Sequence, residues 1–241
     1  VKRVPEGKSL LASSEILVDG KKETKEEITA YLVQKPNTQF LKVPFSLFIY
    51  NWANPNPDST FAAKYINNPK KLERKSKFLS RKQVYRLGES FWYKGIHNLL
   101  KNTGEAPTIV DENKSSKSLL RLRSYYFNEG YFNVKGSVKH DSIGFKKIKT
   151  IYNLTLGNPY ILDSIYTRIS SPDIDSLYSQ ASKFSLLKTG NRYQSSHFEE
   201  ERNRLTSYFR NNGIYNFQQN YINYDIDTLL TGNKANVNVV I

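Results

Sequence analysis

The sequence predicts an α+β protein that spells one order of elements, strand–helix–helix–strand–strand, twice in series, each time with two helices packed on one face of a three-stranded mixed sheet. The first observation behind this is internal repetition. Residues 121–134 read RLRSYYFNEGYFNV and residues 204–217 read RLTSYFRNNGIYNF, with identities at Arg121/Arg204, Leu122/Leu205, Ser124/Ser207, Tyr125/Tyr208, Asn128/Asn211, Gly130/Gly213 and Asn133/Asn216. Self-similarity over a domain-sized offset of 83 residues, from Arg121 to Arg204, marks a tandem array. The second observation is periodicity: a helical stripe precedes each motif glycine, and strand-like alternation follows it. The third is size, because 241 residues can bury one large core or two modest ones of about 80 to 150 residues each.

Residues 1–9, with Lys, Pro and Gly and no periodicity, read as a tether. Leu10 to Val18 is strand-like and closes on Asp19 and Gly20, a turn pair. Thr24 is the expected cap of a helix, with Glu27 at the capping-box spacing and Ile28, Tyr31 and Leu32 as the apolar stripe up to Pro36. Residues 40–101 fit no compact repeat and read as an insertion within a first domain of residues 10–156. The insertion holds an aromatic run from Phe40 to Trp52, a polar turn from Asn54 to Asp58, and a basic segment from Pro69 to Arg86 with a weak helical stripe of Leu72, Phe78, Leu79 and Tyr85. From Ser115 a helix carries Leu119, Leu122, Tyr126 and Phe127 and stops at Gly130, a good left-handed cap. Alternation from Tyr131 to Lys139, a turn at Asp141 to Gly144, and a strand from Phe145 to Leu156 predict a hairpin. The second domain, residues 157–241, repeats the order: strand Tyr160 to Ile169, helix Ser176 to Phe184, a linker with Gly190, helix Phe198 to Asn211, Gly213, strand Tyr215 to Asp225 and strand Ala235 to Ile241.

The formal charge is +14 and the isoelectric point about 9.6, yet hydrophobic content is ordinary and 17 Tyr and 13 Phe are present, so the chain folds. A basic balance invites nucleic acid, anionic lipid or acidic protein loops without choosing among them. The absence of Cys excludes disulfides, thiolate chemistry and Cys-ligated zinc and leaves the compartment open. From the absence of Met, even at position 1, the expectation is that the chain begins inside a longer precursor, with a cleaved signal as one candidate for what precedes it. Phe40 to Trp52 is the longest apolar stretch, but with Lys42 and Pro44 it is too short and broken to span a bilayer.

No catalytic, cofactor or metal site emerges. His97, His140 and His197 stand without partners at ligand or triad spacing, no Gly-x-Gly phosphate loop occurs, and Asp173/Asp175 and Asp225/Asp227 read as surface turns. The expectation is a protein that is not an enzyme.

The element order, with Tyr126 to Val134 as Tyr-Phe-x-x-x-Gly-Tyr-Phe-x-Val, resembles the POTRA (polypeptide-transport-associated) repeats of the BamA/TamA family of outer-membrane assembly proteins. Gly157, Asn158, Pro159, Tyr160, Ile161 and Leu162 followed by Ile165 look like the junction that opens a new POTRA repeat, and Gly190 with Tyr193 matches its inter-helix Gly-x-x-Tyr. The aromatic insertion followed by Gly104, Glu105, Ala106 and Pro107 is similar to the elongated first repeat of the TamA-like branch, several members of which are lipoproteins. The resemblance covers about residues 10–241. It implies tandem POTRA-like repeats at the periplasmic face of a bacterial outer membrane, ahead of a membrane β-barrel that would follow Ile241, and a role in protein assembly or translocation. The partners it implies are unfolded outer-membrane protein clients and periplasmic accessory proteins, with membrane contact through the barrel or a lipid anchor.

On that resemblance, the first strand of each hairpin is a sheet edge to which an extended chain adds by main-chain hydrogen bonds. Tyr131, Phe132, Val134 and Val138 are the candidate edge residues in the first repeat, and Tyr215, Phe217 and Tyr221 those in the second. The same aromatics also fit a core role. Lys70, Lys71, Arg74 and Lys75 are candidate contacts to anionic headgroups or acidic partner loops, beside the plainer reading of a solvated helix face. Asp58, Asp141, Asp163, Asp175 and Asp227, each followed by Ser or Thr, resemble O-glycosylation acceptors of Bacteroidota envelope proteins, a pattern that chance also supplies. The alternative function is a basic α+β nucleic-acid-binding protein, which would use the charge on phosphates but lacks an RNP-like motif.

Overall fold

The structure, a computed structural model, describes residues 3–39, 41, 43–229 and 232–241. Residues 1–2 of the expected tether, and Phe40 and Lys42 of the aromatic run, lie outside the described residues. In chain order the elements are β1 (Leu10–Val18), β2 (Lys21–Glu23), α1 (Glu26–Thr29), α2 (Phe45–Trp52), α3 (Pro57–Phe61), α4 (Pro69–Ser76), α5 (Arg81–Gly88), α6 (Ile96–Thr103), α7 (Glu112–Asn128), β3 (Lys135–Gly144), β4 (Lys147–Thr155), β5 (Ile161–Arg168), α8 (Pro172–Ala181), α9 (Ser195–Asn211), β6 (Asn223–Asp227) and β7 (Lys234–Val240). The fold class is α+β as expected, with one sheet in the order β2-β1-β4-β3 and another in the order β5-β7-β6. The chain separates into two compact units. One comprises residues 1–15, 33–115 and 139–151; the other comprises residues 16–32, 116–138 and 152–241.

The second of these units holds two distinct apolar clusters. In one, Leu122 and Tyr126 of α7 meet Ile16 of β1, Ile28 of α1, and Tyr152 and Leu154 of β4. In the other, Phe198, Leu205 and Phe209 of α9 meet Tyr178 of α8 and Ala235, Val237 and Val239 of β7. The α9 residues recur at helical spacing and the β7 residues alternate, so each side chain reaches the core by the period of its own element. Within the three-stranded sheet β5 pairs parallel to β7, with Ile165 opposite Val237, and β6 pairs antiparallel to it, with Ile226 opposite Val237.

Several local expectations shift. A hairpin strand, β2, follows the turn at Asp19 and Gly20, pairing Ile16 with Glu23. Thr24 does not cap α1: the Glu23 carboxylate accepts from the Thr24 and Lys25 N–H groups at 2.9 and 3.0 Å, and the helix is a single turn. β3 starts at Lys135 and β6 at Asn223, later than the alternating aromatics suggested. The hairpin turn falls at Phe145 and Lys146, the latter at φ 53°, because strand pairing carries through Asp141 to Gly144. α8 begins at Pro172, whose missing N–H costs nothing in a first turn.

In the other unit the segment expected as a tether is packed. Val4 is buried with Leu10, Leu47 and Ile109, and the Arg3 guanidinium lies 4.9 Å from the Tyr50 ring centre. The insertion is helical, α2 to α6 with two π-helical turns at Ala62–Ile66 and Phe91–Gly95. Its ends are pinned at a neck. The Glu105 carboxylate accepts from the Thr38 N–H at 2.8 Å, Asn37 Nδ2 donates to the Ala106 carbonyl at 2.7 Å, and a Cβ on Gly104 would meet Tyr50 N at 2.4 Å. Hydrogen bonds from Thr38 hold the Glu105 carboxyl below the usual carboxylate range. The basic segment is two helices, not one: Ser80 and Gln83 form a capping box that starts α5, and Val84 and Gly88 are its buried face. Leu72 and Leu79 are half-buried, and Phe78 and Tyr85 of the expected stripe are exposed.

Candidate functional site

A sheet edge offers unpaired N–H and C=O groups wherever nothing covers it. The outer strands are β2 and β3 in one sheet and β5 and β6 in the other. β2 has only three residues. The start of β5 is covered by the inter-helix loop: Leu162 N–H donates to the Asn191 carbonyl and Gly190 N–H to the Leu162 carbonyl, both at 2.8 Å. β3, with ten residues, is the longest of these edges; it and β6, with five, are each the first strand of a hairpin.

The two edges differ in chemistry. On β3, Lys135, Ser137 and Lys139 are exposed while Gly136, Val138 and His140 are half-buried, and His140 Nδ1 lies 3.0 Å from Thr150 Oγ1. On β6, Asn223, Asp225 and Asp227 are exposed, and Tyr224 and Ile226 pack on the core. Burial pushes the Tyr224 phenol far up, and its ring lies 5.1 Å from that of Phe198, with the Arg202 guanidinium 5.4 Å above it.

α7 lies over β3, since a Cβ on Gly136 would come within 2.8 Å of Leu119 Cδ1 and 3.5 Å of Arg123 Cδ. Beside this crossing runs a cleft of about 360 Å³ of mixed character, lined by Leu120, Arg123, Ser124, Phe127 and Asn128 of α7 and by Phe132 and Val134 on the lead into β3. Leu120 is 59% exposed and Phe127 48%, so the cleft has an open apolar lip.

The sequence-selected residues are scattered over several elements. Val138 lies on the β3 edge, and Phe132 and Val134 line the cleft. Tyr131 is in the turn after α7, its ring 6.2 Å from that of Tyr126. Tyr215 is an exposed turn residue, Phe217 is buried against Phe209 with ring centres 4.8 Å apart, and Tyr221 sits in a 3-10 turn against Phe217. Of the residues that build the second edge, Asn223 to Asp227, the expected strand Tyr215 to Asp225 reached the first three but began eight residues too early, because the aromatics before them alternate too. Lys70, Lys71 and Arg74 are exposed on α4, and Lys75 places Nζ 4.4 Å from the Tyr65 ring centre.

The lead into β3 is fixed by the segment that opens β5 and by the loop before α9. Phe132 stacks 4.8 Å from both Tyr160 and Tyr193, Tyr160 N–H donates to the Gly130 carbonyl at 2.8 Å, and Glu129 accepts from Arg192 at 2.7 Å and from Gln194 at 3.1 Å.

Among the described residues no three His, Cys, Asp or Glu side chains are grouped to hold a metal ion. His97 Nδ1 accepts from Asn54 N–H at 3.2 Å. Asp173 and Asp175 occupy the first turn of α8, and Asp225 and Asp227 lie on β6, so neither pair is in a surface turn as expected. Among the described residues no helix is long and apolar enough to cross a membrane.

No protein-family profile matches the chain, and no curated protein matches it. Among solved structures it is similar to POTRA domains 3–5 of BamA from Haemophilus influenzae, at 14% identity and a TM-score of 0.40, over 99% of this chain and 68% of that one. It is also similar to BamA from Haemophilus ducreyi lacking POTRA domains 1–3, at 10% identity and 0.35, over 56% of this chain and 24% of that one. A third likeness is to POTRA domains 1–3 of the periplasmic domain of Omp85 from Anabaena, at 11% identity and 0.28, over 98% of this chain and 95% of that one.

Proposed function

We propose that the chain is a periplasmic POTRA module, of two repeats at about residues 10–156 and 157–241, in an outer-membrane protein assembly or translocation factor, and that it binds client or accessory chains by strand addition at β3. The observation that carries this reading is the ten-residue β3 edge beside a cleft whose lip exposes Leu120 and Phe127. Every second residue of an edge strand turns both its N–H and its C=O outward, so a guest gains about one hydrogen bond for each residue it orders. At about 1 kcal/mol net per bond, against about 1–2 kcal/mol of backbone entropy per residue, backbone pairing alone roughly breaks even or falls short. Burying guest side chains against Leu120, Phe127 and Phe132 adds about 1.5–3 kcal/mol each and tips the balance. Binding is therefore weak, tolerant of sequence, and biased to apolar alternation, which suits barrel precursors. β6 also borders a cleft, of about 520 Å³ and lined by Tyr166, Asp225, Ile226 and Val237 among others, but with five residues it offers a guest half the length of β3 and is the weaker edge.

Photo-crosslinking from Ser137 of the full chain to an unfolded outer-membrane protein tests this. Capture from Ser137, lost in Leu120→Asp and Phe127→Asp variants of unchanged fold, is the expected result; capture indifferent to both substitutions would remove the cleft from the account. Salt-steep binding of RNA or DNA by filter assay would favour the nucleic-acid reading that the charge of +14 allows.

A further inference from the structure

We propose that the α4–α5 helical hairpin of the insertion docks on an anionic phospholipid bilayer, with Phe78 entering it and the surrounding Lys and Arg side chains contacting headgroup phosphates. This function is independent of strand addition. Residues 69–88 carry eight basic side chains and one acid, Glu73. Among the described residues, none of Lys70, Lys71, Arg74, Lys77, Arg81, Lys82 and Arg86 forms an ion pair, since the salt bridges of the insertion use Lys94 with Asp58. Phe78 occupies the turn between the two helices and is 89% exposed. The chain itself guarantees its surroundings, because Arg74, Lys75 and Lys77 precede it by at most four residues and Arg81 and Lys82 follow it by at most four.

The helices present the same character. At 100° per residue, Lys82, Tyr85 and Arg86 share one exposed face of α5, while Val84 and Gly88 are buried on another. In α2, Phe45, Phe48 and Trp52 recur at helical spacing on an exposed face opposite buried Leu47. Phe91 and Trp92 are exposed as well, at 58% and 75%. An acidic protein loop or a nucleic acid would be served by the cations alone. A bare Phe at the tip of a cationic hairpin, with further Phe and Trp uncovered on the same insertion, matches an interface that is anionic outside and apolar beneath.

The test uses the full chain and vesicles of phosphatidylcholine with or without phosphatidylglycerol. Flotation should show binding only with phosphatidylglycerol, weakened at least tenfold by high salt, about tenfold by Phe78→Ser, and more by Lys70→Gln/Lys71→Gln/Arg74→Gln/Lys75→Gln. The substituted side chains are exposed or half-buried, and circular dichroism checks the fold. Both Trp of the chain lie in the insertion, so Phe78→Trp in a Trp52→Phe/Trp92→Phe background places one reporter at the tip. Its emission should shift to the blue on phosphatidylglycerol vesicles. Equal binding to neutral vesicles, no binding to either, an unaltered Phe78→Ser variant, or an unshifted Trp emission with bound protein would overturn the proposal. None of these results bears on capture at β3, which is assayed without lipid.

Discussion

The α-carbon of Gly130, where α7 gives way to the lead into β3, lies so close to the carbonyl of Tyr193 that a Cβ would approach that oxygen to 2.5 Å. Gly130 also has φ +88°, a backbone state that L side chains rarely adopt. Gly213, at the matching position of the repeated sequence motif, has φ +99° with open space around it. The same motif glycine therefore serves as a cap alone after α9 and as a cap plus a contact with Tyr193 after α7.

Gly213→Ala should cost about 1–2 kcal/mol, the penalty of positive φ, and Gly130→Ala at least twice that because backbone must move. Urea melts of the two variants check this, with equal losses counting against the contact.

Phe132 carries the joint further, since it lies in the turn between α7 and β3 yet packs on the cluster built from α8, α9 and β7. Phe132→Ala should cost about 2–3 kcal/mol, less than a fully buried Phe because the side chain is half-buried. It should also split one calorimetric transition of the residues 116–241 region into two. A single transition retained in the variant would mean that the two clusters are coupled by other contacts.

Glu201 is buried in α9, where both carboxylate oxygens accept from Arg204, at 2.8 and 2.7 Å, and one also accepts from Leu186 N–H at 3.1 Å. Burial raises its pKa, but the hydrogen bonds from Arg204, Leu186 and Ser185 outweigh it, so the carboxyl sits below its ordinary value. A depressed folded-state pKa means a contribution that is complete above the unfolded value of about 4.3 and is lost as pH falls through the folded value. Glu201→Gln should cost about 3–5 kcal/mol at neutral pH by stranding Arg204, and the gap to the native protein should narrow below about pH 4. A gap independent of pH would show that the carboxylate charge is not the stabilising element.

The open edge itself can be probed by proline at consecutive positions of β3, because neighbouring N–H groups point to opposite sides. Of Val138→Pro and Lys139→Pro, one should break the ladder to β4 and unfold the sheet, and the other should leave the fold intact while weakening client capture. If the variant that still folds captures clients as well as the native chain does, the β3 edge is not the site.

Much of this was legible. β1 is bounded as the pattern required, and α7 and α9 declared their buried faces through Leu122, Tyr126, Leu205 and Phe209, because a regular element stamps its period on whatever it buries. The starts of β3 and β6 were not legible. Val134, Phe217 and Ile222 are carried into the cores by turns, and aromatic residues in such leads mimic strand alternation. The insertion hid its helices because α2 and α5 expose apolar side chains as well as polar ones, leaving no clean stripe to read. The cleft beside β3 joins residues of α7 to the lead of β3 across a turn, and Leu120 enters it from outside the α7 core stripe.

The most direct test follows the backbone. Amide hydrogen exchange of the full chain should be measured with and without an extended peptide copied from an apolar–polar alternating strand of an outer-membrane β-barrel. The account predicts added protection on alternate amides of Lys135–Gly144 and none on Ile161–Arg168. Bound peptide with β3 exchange unchanged would contradict it.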